Sequence, residues 1–332
     1  MSKRVFVTGG AGYVGTVLVP KLLQAGFHVT VLDLFLFGDY LPPADDSLRK
    51  IRGDIRDVEL LRRTLPGHDA VIHLACISND PSFELNPALS RTINYECFEP
   101  LVIAAKQAGV RRFVYASTAS VYGVSDAPDV TEDHPLVPLT DYNKYKGMCE
   151  PLLFEHQSPE FTTITIRPAT VCGFSPRLRL DLVVNILTAA AVRKGVITVF
   201  GGAQKRPNIH IDDVTDLYVT LLDLPAERIA GRTYNYAESN HTVSELAEIV
   251  RGVVAREVPG RENVPIQVTP SNDQRSYHLS SERIRRELGL VPKLTIADAV
   301  RDLCRAFADG RIGAPDETRY INVKAVQAAG LS

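Results

Sequence analysis

The stretch Thr8-Gly9-Gly10-Ala11-Gly12-Tyr13-Val14-Gly15 decides the fold. It follows a short apolar run, Arg4 to Thr8, that reads as a strand. It leads into Val14 to Ala25, where Val14, Val17, Leu18 and Leu22 recur at helical spacing. Gly9, Gly12 and Gly15 spell G-x-x-G-x-x-G, and Gly10, Gly12 and Gly15 also fit G-x-G-x-x-G. Glycines at these places permit a tight turn, close approach of a pyrophosphate and close packing of helix on sheet. The helix N-terminus then offers free amides to the anion. Placed between strand and helix, the stretch predicts a dinucleotide-binding loop, with Gly9, Gly12, Tyr13, Val14 and Gly15 against the cofactor.

Working outward, Phe27 to Leu32 is a second strand, and Asp33 ends it 18 positions after Gly15. A carboxylate there accepts the adenosine ribose hydroxyls and repels a 2′-phosphate, so NAD is favoured over NADP. Lys3 and Arg4 precede the loop and are poorly placed for such a phosphate. Gly53 to Asp57 follows a third short strand. Asp54 and Ile55 in that loop either bracket the adenine or belong to a plain surface turn.

Further strands are expected at Ala70 to Ala75, Phe113 to Ser117 and Phe161 to Ile166, with helices at Asn94 to Ala108 and Asp141 to Glu155. Near-continuously apolar strands alternating with helices predict an α/β chain built on a Rossmann-type doubly wound parallel sheet. After Arg167 the rhythm changes to loop signals, then a helix at Leu182 to Arg193 and a strand at Ile197 to Phe200. His210 to Asp223 reads as a helix capped by Asp212, and Val243 to Val254 and Ile296 to Ala308 as amphipathic helices. The expected division is a NAD-binding domain over residues 1–172, with 205–237 returning to it. Residues 173–204 and 238–332 then form a smaller mixed α/β substrate-binding domain.

Among 332 residues, 37 Lys and Arg against 39 Asp and Glu leave a net charge of −2, which gives no sign of a nucleic-acid or anionic-membrane surface. The first apolar run is too short for a signal h-region or a membrane span. Cys76, Cys97, Cys149, Cys172 and Cys304 are scattered without metal-ligand spacing, so no metal is expected. They read as core residues of a reduced, cytoplasmic protein.

Tyr142 and Lys146 stand at i and i+4 and share a helix face. A neighbouring ammonium and a cationic nicotinamide both favour the phenolate, so Tyr142 is expected to act as a base with a lowered pKa. Ser117-Thr118-Ala119-Ser120-Val121-Tyr122-Gly123 follows the Phe113 strand. A hydroxyl there faces the ligand crevice, where Thr118 can hold the reacting oxygen against Tyr142.

Taken together, Thr8 to Gly15, Asp33, Asp54-Ile55, His73-Leu74-Ala75, Asn94, Thr118 with Val121-Tyr122-Gly123, Tyr142 with Lys146, and Arg206 to Val214 closely resemble the extended short-chain dehydrogenase/reductase family of nucleotide-sugar epimerase/dehydratase type. The resemblance implies a Thr118, Tyr142 and Lys146 triad and tightly held NAD, lined also by Leu74, Ala75, Cys76 and Asn94. It places Asn185, Arg206 and Arg275 near a nucleotide-diphosphate sugar, the arginines on its diphosphate, which suits the guanidinium fork. It also implies a homodimer through the helices near Asn94 to Ala108 and Asp141 to Glu155.

Two departures narrow the chemistry. Dehydratases of the family carry Asp-Glu where this chain has Ala119 and Ser120, so water loss lacks its proton shuttle. Many sugar epimerases have Asn-Val-Tyr-Gly where this chain has Thr170-Val171-Cys172-Gly173. Ser175 to Asn185 and Asp273 to Tyr277 are similar to a subgroup that includes GDP-heptose carbon-4 dehydrogenases, with Arg177 and Arg179 as phosphate or sugar contacts. The leading reading is a 4-epimerase working through a transient 4-keto sugar. A carbon-4 dehydrogenase or ketoreductase is the alternative within the same chemistry, and a non-catalytic NAD-binding protein the alternative outside it.

Overall fold

The computed structural model describes residues 3–270 and 276–330. Twelve strands are formed by the described residues: β1 Arg4–Thr8, β2 His28–Asp33, β3 Leu48–Arg52, β4 Ala70–His73, β5 Arg112–Ala116, β6 Thr162–Pro168, β7 Thr170–Cys172, β8 Ile197–Phe200, β9 Lys205–His210, β10 Arg232–Tyr236, β11 Ser239–Thr242 and β12 Ile266–Thr269. Seven make one parallel sheet in the order β3-β2-β1-β4-β5-β6-β10. The chain winds outward through β2 and β3, then returns to start again at β4. The carboxyl ends of β1 and β4 therefore splay apart and open a crevice at the switch point.

The period of two in the strands splits the core. Val5 and Val7, Val29 and Val31, and Ile164 and Ile166 face one side, where helix Gly15–Gln24 lays Leu18, Val19 and Leu22 beside Val214, Leu217 and Leu221 of helix Ile211–Leu221. Phe6, Val71, Phe113 and Tyr115 face the other, against Leu61, Phe98, Leu101, Cys149 and Leu153. Burying one such leucine contributes about 2 kcal/mol, and with both faces covered the strands have no use for polar alternation.

A second apolar core gathers Val184, Leu187, Val199, Leu246, Val250, Val254, Val300 and Cys304 from helices Val183–Ala189, Val243–Glu257 and Ile296–Ala308 with β8. The latter two helices start with capping boxes, Thr242 with Glu245 and Thr295 with Asp298. A third cluster, including Tyr13, Leu178, Leu180, Leu303, Phe307 and Tyr320, joins the two cores.

Three sequence expectations need correction. Helix Ile211–Leu221 is capped by His210, whose Nδ1 accepts from the Asp212 amide at 3.1 Å, because the strand runs straight to the helix start. The expected helix at Asn94 to Ala108 is a π-turn, Thr92–Glu96, followed by the α-helix Phe98–Gln107. The π-turn points Asn94 at the loop beyond β4, a device common at functional sites. The helix expected at Leu182 to Arg193 similarly passes from Val183–Ala189 into a π-turn over Ala190–Lys194. No helix of the described residues is long and apolar enough to cross a membrane.

Candidate active site

The glycine loop turns on two close approaches. A side chain at Gly9 would lie 2.5 Å from the Ala75 amide nitrogen, and one at Gly15 would lie 2.4 Å from the Gly10 carbonyl oxygen. Gly12 meets only the Gly9 oxygen, at 3.2 Å, so its surface stays open to a ligand. Helix Gly15–Gln24 has no side-chain cap at Val14 and no acid in its first turn, which leaves its N-terminus suited to an anion. Asp33 accepts from the Ala11 amide at 2.9 Å and the Phe35 amide at 2.7 Å. Burial raises its carboxyl and those two amides oppose the rise. Each carboxylate oxygen keeps a lone pair for a ribose hydroxyl. The residues present fit a dinucleotide.

Across the crevice, the Leu74 amide donates to the Thr8 carbonyl at 3.0 Å and draws the segment after β4 toward the loop. Asn94 spends both ends of its side chain on Ile77, accepting from its amide at 2.8 Å and donating to its carbonyl at 2.9 Å. It therefore shapes the wall that carries Leu74, Ala75 and Cys76. Cys97, Cys149, Cys172 and Cys304 are core residues as expected, whereas Cys76 is partly exposed. Asp54 is held by Arg56 at 2.6 Å, and Ile55 is buried in the core.

Thr118 follows β5 and caps a short turn, Ala119–Tyr122. Its hydroxyl lies 2.8 Å from that of Ser120, which in turn donates to the Asn143 side-chain oxygen, one residue from Tyr142. Tyr142 and Lys146 occupy the first turns of helix Asp141–Glu155, whose cap, Thr140, donates to Asp80 at 2.6 Å. The expected electrostatics differ. Lys146 is buried, donates to the Ala116 carbonyl and lies 4.6 Å from the Tyr115 ring centre. Burial first, with the Cys76 thiol and Asp80 adding, pushes the Tyr142 phenol well above its ordinary value. The cation that opposes this is Arg179.

The remaining calls fall in different places. Arg179 pairs with Asp181 at 2.9 Å and reaches Ser78 at 3.3 Å. Arg177 is 2% exposed, bonds Asn322 and stacks 3.7 Å from the Phe37 ring centre. Asn185 is fully buried: its oxygen accepts from the Gly173 amide at 3.0 Å, and its nitrogen donates to the Tyr13 hydroxyl at 3.1 Å and the Arg179 carbonyl at 2.9 Å. It holds the loops around the site and presents no surface of its own. Arg206 stands partly exposed on β9, opposite His241 of β11. Arg275 lies outside the described residues; the residue after it, Ser276, accepts from the Lys205 amide at 3.1 Å.

Sequence reasoning passed over Asn143, Ser78, Asp181 and Asn322, and read Ser120 only as a missing acid; all five complete these networks. It also passed over a buried pair behind Thr118, in which Arg167 binds Glu150 at 2.5 Å and Glu150 accepts from Ser117 at 2.6 Å. The available signal was Glu150 one helical turn beyond Lys146, on the face that buries against the sheet. His210, Asp212 and Asp302 form a set with metal-capable atoms. Because His210 Nδ1 accepts from the Asp212 amide, its proton is on Nε2, which leaves that nitrogen no lone pair for a metal.

Comparison with known proteins gives a consistent picture. Residues 5–237 match the model of the NAD dependent epimerase/dehydratase family. A UDP-glucose 4-epimerase of Azospirillum brasilense is 30% identical over 321 residues, covering 90% of each chain. A dTDP-glucose 4,6-dehydratase of Streptomyces niveus is 30% identical over 340 residues, covering 95% of this chain and 97% of that one. The crystal structure of DesIV, a dTDP-glucose 4,6-dehydratase from Streptomyces venezuelae with NAD bound, superposes with a TM-score of 0.80 at 27% identity, covering 93% and 98% of the two chains.

Proposed function

We propose that this chain, which belongs to the NAD-dependent epimerase/dehydratase family, is a nucleotide-sugar 4-epimerase with Tyr142 as its acid and base. The observation that carries the reading is the composition of the crevice at the end of β5. A threonine and a tyrosine–lysine helix face are present, while Ala119 and Ser120 stand where an elimination needs carboxylates. Ser120 is instead spent on linking Thr118 to Asn143.

In this reading the backbone of Gly9, Gly12, Tyr13, Val14 and Gly15 cradles the diphosphate of NAD, Asp33 takes the adenosine ribose, and Leu74 to Cys76 form the opposite wall. Bound NAD supplies the acceptor and later the donor of hydride at carbon 4 of the sugar. Thr118 orients the carbon-4 hydroxyl, and Tyr142 removes its proton and gives it back after the 4-keto sugar has turned over. Lys146, anchored on Ala116, holds a positive charge under the helix face that Tyr142 occupies. Arg206 and Arg275 take the diphosphate of the sugar nucleotide, while Asn185 and Arg179 position the loops between the lobes. The division into a NAD-binding part over 1–172 with 205–237 and a substrate-binding part over 173–204 and 238–332 belongs to the same proposal.

A panel of UDP-, GDP-, dTDP- and CDP-sugars tests it. Formation of a carbon-4 epimer without added NAD is the expected result. Stoichiometric NADH with release of a keto sugar would replace it with the carbon-4 dehydrogenase reading. Loss of water would overturn the argument from Ala119 and Ser120.

A further inference from the structure

Arg177 comes from the loop that leads into the second lobe, yet two of its contacts, Thr16 and Phe37, lie on the β1 and β2 side of the crevice. Its amide donates to Thr16 Oγ1 at 3.4 Å, in the first turn of the helix that follows the glycine loop. Its guanidinium covers the ring of Phe37, in the loop after β2. That loop, Leu34-Phe35-Leu36-Phe37-Gly38, offers no hydroxyl, amide or cationic side chain to a phosphate.

The segment Ser175 to Asp181 then crosses the crevice. On the β1 side, Ser175 donates to the Tyr13 carbonyl at 2.7 Å and lies 2.8 Å from the Thr16 hydroxyl. On the β4 side, Arg179 reaches Ser78, and Asp181 accepts from Asn79 at 2.9 Å. Residues near the C-terminus fasten it. The Leu180 amide donates to the Tyr320 carbonyl at 2.8 Å, and Asn322 joins Arg177 to Ser78, donating to the Ser78 hydroxyl at 2.8 Å.

Arg177 is an under-compensated charge in this strap. Its Nε is buried with no hydrogen-bond partner among the described residues. Burial, and then Arg179 beside it, bring its ionisation down to about 9, against a partial pull upward from Asp181, Tyr40 and Asp33. A buried guanidinium in this condition calls for an anion, and a diphosphate matches its fork of donors.

We propose that Arg177 is a ligand of the diphosphate of NAD, and that Ser175 to Asp181, fastened by Asn322, straps the cofactor into the crevice between turnovers. The proposal rests on the family's use of NAD and not on which sugar is turned over. A diphosphate is also carried by a sugar nucleotide, and the test separates the two sources.

Arg177→Met and Asn322→Ala are purified, stripped of nucleotide and titrated with NAD alone and with UDP and GDP on the NAD-saturated protein. The expected result is NAD affinity weakened about tenfold or more in Arg177→Met, and less in Asn322→Ala, with faster NAD release and unchanged UDP and GDP binding. Melting without nucleotide serves as the control. Removing an uncompensated buried charge should leave the melting temperature unchanged or raise it, while the rise on adding NAD shrinks. Unchanged NAD affinity in Arg177→Met overturns the proposal, as does a loss confined to UDP or GDP. A fall in melting temperature without nucleotide, with the NAD-induced rise intact, would make Arg177 a structural cation and also overturn it. All these readouts stand if the 4-epimerase reading fails.

Discussion

The hydroxyl of Tyr13, in the middle of the glycine loop, donates to the carbonyl oxygen of Gly173 at 2.7 Å. The same hydroxyl accepts from Asn185, so the loop that meets the cofactor is tied to the second lobe by one buried group. Tyr13→Phe removes both hydrogen bonds and leaves the Gly173 and Asn185 groups each one partner short. We expect a loss of about 1–3 kcal/mol in urea unfolding. No change in the unfolding midpoint would mean that this contact carries no weight.

Tyr142→Phe keeps the ring and removes the proton carrier. Turnover should fall about 10²–10⁴-fold while NAD binding stays as in the parent. Titration of the NAD-free protein provides a second check, read as the difference in tyrosinate absorbance between parent and variant. Since burial raises this phenol, the Tyr142 signal should appear only above about pH 10. A tyrosinate at neutral pH in NAD-free protein would contradict the burial of the phenol described for Tyr142.

Behind Thr118, the Glu150–Arg167 pair is almost wholly enclosed. Arg167→Met strands Glu150 and deprives Tyr122 of its 2.6 Å donor, and it should cost about 3–5 kcal/mol. Adding Glu150→Gln should recover part of that cost. A double variant less stable than the single one would show that the pair is not the coupled unit.

His73 is buried under the Lys146 helix and its Nδ1 lies 2.7 Å from the Thr8 hydroxyl. Burial first, then Lys146, depress its ionisation to about 3. An unfolded histidine binds its proton near pH 6.5, so the unfolded state takes up a proton that the folded state refuses. The stability from neutral His73 is complete above about pH 6.5 and declines as pH falls toward about 3, by about 1.4 kcal/mol per pH unit. His73→Gln should flatten the stability profile between about pH 6 and 4 by close to one proton. An unaltered slope would assign the acid sensitivity to other groups.

Ile103 and Met148 are exposed on helices Phe98–Gln107 and Asp141–Glu155, the two helices that the family resemblance assigns to a homodimer. Met148→Glu should convert a dimer into a monomer in sedimentation. A parent protein that sediments as a monomer would overturn the homodimer that the resemblance implies.

The sequence by itself determined the parallel α/β sheet, the glycine loop, Asp33, and the Tyr142 and Lys146 helix face. These are local: each depends on spacing along one strand or helix, and period and turn chemistry are written in consecutive residues. Helix Asp141–Glu155 and strand β8 came out with the expected bounds for that reason. Tertiary structure alone decided what surrounds those groups. It turned Lys146 to the Ala116 carbonyl and set Arg179, 37 positions beyond Tyr142, as the cation acting on the phenol. It committed Asn94 and Asn185 to backbone groups, and it brought Asn322 across the crevice to Arg177, 145 positions away. Electrostatics and hydrogen bonding act through space, and the partners of a buried charge are fixed only when the chain has closed around it.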